Sequence, residues 1–212
     1  MTSLQRLLHS KTHIIWDWNG TLLDDVDLSV TIINEILKEH GMKQVNRERY
    51  REVFCFPVVD YYRALGFDFN VTPFEIVGKE FFDRYQKRAV KCSLFNDTSD
   101  LLEGLKEAKK KHYILSAAFE SHLFDIVKHH KIEKYFDGIF GISNVYGTSK
   151  IDRGRELLKT IKDPKDSIVF IGDTDHDLEV ATALGVEAIL LAEGHQSYHR
   201  LKKIHKTVLE TR

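Results

Sequence analysis

The sequence predicts an α/β fold, a doubly wound parallel sheet with a helical insertion, and three observations carry that expectation. Short apolar runs rich in Ile, Val, Phe and Leu recur at residues 13–17, 112–116, 138–142, 167–171 and 187–191, each bounded by charge or glycine, as buried strands are. Helical periodicity separates the later runs, and strand alternating with helix implies right-handed crossovers and a parallel sheet covered on both faces. Residues 26–91 break this rhythm, with helical patterns and no buried strand.

Taken in order, the first strand ends at Asp17 and turns through Trp18-Asn19-Gly20-Thr21. The insertion follows with helical patterns at 28–40, 47–54, 58–65 and 73–90. It leaves the carboxyl edge of the sheet, where open α/β folds place their ligands, so it is positioned as a lid. Its charged residues Arg49, Arg51, Arg63 and Lys79 read as solvated faces, and Phe81, Phe82 and Tyr85 as its own core. Later helices are expected at 99–110, 121–130, 150–162 and 175–184, the last stopped by Gly185. The basic stretch 200–212 reads as a solvated final helix. The organisation expected is a Rossmann-like core of residues 1–25 and 92–212 with an α-helical cap of residues 26–91.

Composition narrows the function classes. A chain of 212 residues with 42% apolar residues can bury a substantial core. Lys and Arg number 31 against 32 Asp and Glu, so no basic field points to nucleic acid and no acidic excess points to disorder. Cys55 and Cys92 are too few for a disulfide framework, residues 1–11 lack an apolar signal core, and no uncharged run approaches membrane-spanning length. The expectation is a cytoplasmic protein, monomer or homodimer, with no nucleic-acid or membrane partner.

The chemistry concentrates at strand ends. Asp17 closes the first strand, and Ile168-Val169-Phe170-Ile171-Gly172-Asp173 repeats that construction late in the chain. A hard divalent cation such as Mg²⁺ needs only one or two carboxylates besides water and substrate oxygens, which Asp17 and Asp173 supply. Asp177, one helical turn on, can hold a metal-bound water or brace the site. Tyr113-Ile114-Leu115 ends in Ser116, a donor to a phosphoryl oxygen, and Lys150, opening a helix after Tyr146-Gly147-Thr148-Ser149, can neutralise phosphate charge. A nucleophilic carboxylate, a cation, a hydroxyl and an ammonium form the set that phosphoryl transfer requires, with an aspartyl phosphate on Asp17 as intermediate. The histidines suggest no zinc site: His129 and His130 are helix neighbours, while His195, after Gly194, can reach the site rim.

The segment Asp17-Trp18-Asn19-Gly20-Thr21-Leu22 resembles the first signature of the haloacid dehalogenase superfamily, Asp-x-Asp-Gly-Thr-Leu, with Asn19 in place of the second Asp. Ser116, Lys150 and Gly172-Asp173 with Asp177 follow in the order of its remaining signatures. The helical insertion is similar to the C1-type cap of one subgroup, and the segment from Phe56 to Gly66 looks like that of phosphoglycolate phosphatase-like members. Ala117 follows Ser116 where many relatives have Asn, and Ile151 follows Lys150 where many have Pro. The resemblance implies a Mg²⁺-dependent phosphatase of a small phosphorylated metabolite. It implies metal ligation by Asp17, the Asn19 carbonyl, Asp173 and Asp177, and phosphate binding by Ser116 and Lys150.

In that family the second Asp also protonates the leaving group and then activates water, so Asn19 keeps a carbonyl ligand and withdraws the acid. General acid-base assistance is worth roughly 10²- to 10⁴-fold, about 3 to 5 kcal/mol of barrier. The enzyme should therefore favour leaving groups that need little protonation, or recruit an acid from the cap, a bound water or the nearby Asp24. Two other outcomes fit relatives lacking the second Asp. One is C–P or C–halogen cleavage, the former with a cap lysine, for which Lys38, Lys43 or Lys79 is available; the other is a non-catalytic regulator that binds a phosphorylated ligand.

Overall fold

Strand β1 (His13–Trp16), buried along its whole length, runs parallel between β2 (Lys111–Phe119) and β4 (Ile168–Gly172). A computed structural model describes residues 2–142 and 149–212, and its sheet has six parallel strands in the order β3-β2-β1-β4-β5-β6. β3 is Gly138–Ile142 and β5 is Glu187–Leu191. The central strands divide their side chains by the period of two. Ile14, Trp16, Ile114, Val169 and Ile171 enter one apolar layer, while Ile15, Tyr113, Leu115, Ile168 and Phe170 enter the other.

Helices cover both layers, as a doubly wound sheet requires. α6 (Thr98–Glu107) and α7 (Glu120–His129) bury Leu101, Leu102, Leu105, Leu123 and Ile126 against the first face. α8 (Lys150–Thr160) and α9 (Asp175–Leu184) bury Leu157, Val180 and Leu184 against the second. Gly185, left-handed at φ +70, stops α9 as expected.

Two terminal elements differ from the sequence expectation. The basic tail is a seven-residue helix, α10 (Tyr198–Ile204), followed by a sixth strand, β6 (Val208–Leu209), which pairs with β5 and buries Val208. Two strand residues are too few to display a period. A first helix, α1 (Ser3–Leu7), is closed by a Thr2/Gln5 capping box and buries Leu4 in the first layer.

Between β1 and α6 lie four α-helices, α2 (Val26–Glu39), α3 (Arg47–Val53), α4 (Val58–Ala64) and α5 (Phe74–Arg88). They build a core of their own from Ile32, Ile33, Ile36, Tyr50, Tyr62 and Val77. Arg51, expected on a solvated face, instead donates to the carbonyls of Ala192, Gly194 and Gln196, so α3 is tied to the loop after β5. Arg63 and Lys79 pair locally with Asp60 and Asp83. No helix among the described residues is long and apolar enough to cross a membrane.

One buried histidine in this frame makes stability pH-dependent. His112 Nδ1 accepts a hydrogen bond from Trp16 Nε1 at 3.0 Å, and its ring is wholly inaccessible. Burial, aided by Lys106 and opposed by Asp137, pulls its pKa down to about 4. The folded value lies below the unfolded one, so this contribution is complete above pH 6.5 and is lost as pH falls toward 4. The loss should reach about 3 kcal/mol. Urea midpoints should fall over that window, and His112→Asn should flatten the acid arm of the curve.

Candidate active site

The residue following Trp16 inherits its position from the sheet register. Trp16 pairs with Ile114 of β2 and Ile171 of β4, and the Asp17 amide donates to the Ile171 carbonyl at 2.8 Å. Asp17 therefore emerges at the carboxyl edge beside Ser116 on one neighbouring strand and Asp173 on the other. All three are buried.

The turn after Asp17 is shaped around Asp173. Gly20 has φ +71, and a Cβ there would collide with the Asp173 carboxylate, so only glycine fits the approach. Thr21 Oγ1 donates to Asp173 Oδ1 at 3.1 Å, and the His195 backbone N–H to Oδ2 at 2.6 Å. Asp177 lies in the first turn of α9, where Thr174 is the N-cap. Its Oδ2 accepts from the Asp173 and Thr174 amides and the Thr174 hydroxyl at 2.8 to 3.0 Å.

Lys150 brings the one buried ammonium to this cluster. At the start of α8, whose N-cap Ser149 accepts from the Asp152 amide, its Nζ donates to Asp17 Oδ1 at 2.5 Å and Asp177 Oδ1 at 2.6 Å. Tyr146-Gly147-Thr148, read as its approach, lies outside the described residues. The Ser116 hydroxyl accepts from the Ala118 amide at 3.1 Å and keeps its own hydrogen to donate.

Three carboxylates and one ammonium leave the site short of positive charge. Oxygens of Asp17, Asp173 and Asp177 lie within 4.8 Å of one another. Burial, with Asp177 and Asp173 adding to it and Lys150 opposing, holds the Asp17 carboxyl well above its usual range. Burial likewise raises Asp173 to about 7, against the pull of His195. For Asp177 burial is outweighed by Lys150 and the Thr174 and Asp173 donors, so it stays low. A divalent cation beside Asp17 and Asp173 would supply the missing charge, and a donor set of oxygens suits a hard ion. The Asn19 carbonyl fits the same set, since no backbone donor among the described residues reaches it. Asp177 Oδ1 is held by the Lys150 ammonium and Oδ2 by three donors, against one donor on each Asp173 oxygen, which favours bracing by Asp177 over direct ligation.

The Asn19 side chain takes a different direction from the cluster. Its Nδ2 donates to Asp25 Oδ2 at 2.9 Å and to the Tyr85 hydroxyl at 2.5 Å. Asp25, 1% exposed, faces His195 Nε2 at 3.3 Å, and its carboxyl lies below the ordinary value because His195, Tyr85 and Asn19 outweigh the effect of burial. His195 is itself buried and, although burial opposes its charge, Asp25 and then Asp173 and Asp17 raise it to about 9. Asp24, named from the sequence as a replacement acid, is exposed, and its neighbour Asp25 turns inward instead. Tyr85, expected in the core of the insertion, brings its hydroxyl to Asn19 and Asp25, no sequence signal marks Asp25, and His195 sits deeper than the rim. Lys38, Lys43 and Lys79 are all exposed, so none stands with Asp17 as the C–P reading would need.

Comparison with known proteins agrees with this fold. Residues 14–191 match the family model described as haloacid dehalogenase-like hydrolase. A haloacid dehalogenase-like family hydrolase from Streptococcus pneumoniae superposes with a TM-score of 0.78 at 22% identity, covering 96% of this chain and 95% of that one. The tyrosine-protein kinase PtkA of Mycobacterium tuberculosis is 24% identical over 197 residues, 92% of this chain and 67% of that protein. Its structure superposes with a TM-score of 0.75 over 89% of this chain and 87% of that chain. With its matched segment spanning β1 through β5, the chain belongs to the haloacid dehalogenase-like hydrolase family.

Proposed function

We propose that this chain is a Mg²⁺-dependent phosphatase of small phosphorylated metabolites, acting through an aspartyl phosphate on Asp17. The observation that carries the reading is the buried cluster of Asp17, Asp173 and Asp177 around Lys150, opposite Ser116 on the neighbouring strand. Asp17 Oδ1 is held by Lys150, and Oδ2 attacks phosphorus as the ester oxygen departs. Lys150 and the Ser116 hydroxyl balance charge on the phosphoryl oxygens. A divalent cation held by Asp17, Asp173 and the Asn19 carbonyl would supply further charge neutralisation. Water then attacks the acyl phosphate, returning Asp17 and inorganic phosphate. The helices of residues 26–91 serve as the cap that excludes bulk water and selects the substrate.

Asn19 sets the leaving-group preference. Without a proton donor at that position, p-nitrophenyl phosphate should transfer its phosphoryl group to Asp17 in a single turnover roughly 10²- to 10⁴-fold faster than a simple alkyl phosphate at saturating Mg²⁺. Equal rates of this first step on both would mean that another group supplies the proton. Chelation of the metal should remove both activities.

A second reading rests on the likeness to a protein named as a tyrosine kinase and on the same Asn19. An amide cannot activate water, so the phosphoryl group on Asp17 persists and can pass to a hydroxyl acceptor, the acceptor proton leaving to solvent. Phosphorylated acceptor formed from acetyl phosphate, with little free phosphate, would favour this reading.

A further inference from the structure

We propose that Asn19 is the donor of a half-buried core–cap clasp whose carboxylate is Asp25, with Tyr85 as a positioning residue that sets the cap over the nucleophile. The clasp deepens the reading of position 19 as the acid/base position.

Three groups close a ring. The Asn19 amide gives two hydrogens, one to Asp25 Oδ2 at 2.9 Å and one to the Tyr85 oxygen at 2.5 Å. The Tyr85 hydroxyl gives its own hydrogen to the same Asp25 oxygen at 2.6 Å. Asp25 Oδ1 accepts from the Gly20 amide at 2.8 Å and faces His195, whose Nδ1 meets the Tyr50 hydroxyl at 2.8 Å. The ring thus joins the nucleophile turn to α5, and through His195 to α3 and the loop that holds Asp173.

Hydrogen-bond inventory decides which residue can stand at each place. An ionised carboxylate at position 19 has no hydrogen to donate, so it would set acceptor against acceptor at Asp25 and strip Tyr85 of its donor. Asn19 is therefore a requirement of Asp25 rather than a lost acid alone. Exchanging the two residue types restores the ring in reverse: an amide at 25 donates to 19 and to Tyr85, and Tyr85 donates to 19.

The test is a swap series, Asn19→Asp, Asp25→Asn and both together, read by thermal melting without substrate and by turnover of an alkyl phosphate. Each single change should lower the melting temperature by about 5 °C. The double change should recover at least half of the summed loss. On the alkyl phosphate Asn19→Asp alone should give no gain, while the pair should gain about 10-fold or more. Additive losses, or full stability and faster turnover in Asn19→Asp alone, would overturn the clasp. The melting arm needs no activity, so a chain inactive on every phosphate but coupled in melting overturns the phosphatase reading and leaves the clasp standing.

Tyr85→Phe is the second variant, since the ring keeps its stacking on Phe81 at 5.9 Å. It should raise KM for p-nitrophenyl phosphate about 10-fold with kcat within about threefold, the signature of lost positioning. An unchanged KM would contradict a clasp.

Discussion

Asp17→Asn should abolish turnover of every phosphate ester, by about 10⁴-fold or more, while the protein melts no lower than the natural chain. The loss follows from the chemistry, because an amide oxygen in this position does not form the acyl phosphate. Preserved stability follows from the environment. The Asp17 charge is disfavoured by burial and by two neighbouring carboxylates, and removing it relieves that repulsion. The new amide oxygen still accepts from Lys150. Steady-state assays and thermal melting on one preparation check both halves. Adding Mg²⁺ should raise the melting temperature of the natural chain more than that of the variant, since binding to the folded state alone stabilises it. Lost activity together with a collapsed melting temperature would assign Asp17 a structural role.

Lys150→Met should be damaging in both respects. Its ammonium is 5% exposed and bridges two buried carboxylates. Removing one partner from a buried ion pair costs about 3 to 5 kcal/mol, so the melting temperature should fall by about 10 °C. Turnover should drop about 10²- to 10³-fold, because phosphoryl oxygens lose a charged donor. Lys150→Arg should not rescue, as a planar guanidinium cannot occupy the point between Asp17 and Asp177 where Nζ sits. Combining Lys150→Met with Asp17→Asn should melt higher than Lys150→Met alone, since it removes one of the two stranded charges. A full rescue by arginine would show that charge suffices and that position does not matter.

Much of the architecture was readable because buried parallel strands announce themselves. Ile14, Ile15 and Trp16 are apolar on both faces, and the same holds from Ile168 to Ile171, as helices on both sides demand. Strand ends carrying Asp17, Ser116 and Asp173 could be placed together because parallel strands share one carboxyl edge. Features carried by very few residues were not readable. β6 is two residues long, and α1 has a single buried residue, Leu4.

Polar partnerships across the seam were invisible for another reason. Arg51, Asp25 and Tyr85 look from the sequence like ordinary helix surface or helix core. Only tertiary packing shows that Arg51 reaches the loop after β5 and that Tyr85 turns its hydroxyl to Asn19. Asp24 and Asp25 are adjacent and chemically identical. Which of them turned inward was decided by the turn through Gly20, whose amide donates to Asp25. Asn19, legible at once as a departure from the superfamily signature, gained its partners only in three dimensions.

Acid quenching shows whether Asp17 takes a phosphoryl group. Protein incubated with p-nitrophenyl phosphate and Mg²⁺, then quenched and digested, should carry a hydroxylamine-labile phosphoryl group on the peptide containing Asp17. The slow second step expected of Asn19 makes that adduct accumulate. Release of p-nitrophenol with no adduct on that peptide, or with the phosphoryl group on another residue, would rule out Asp17 as the phosphoryl acceptor.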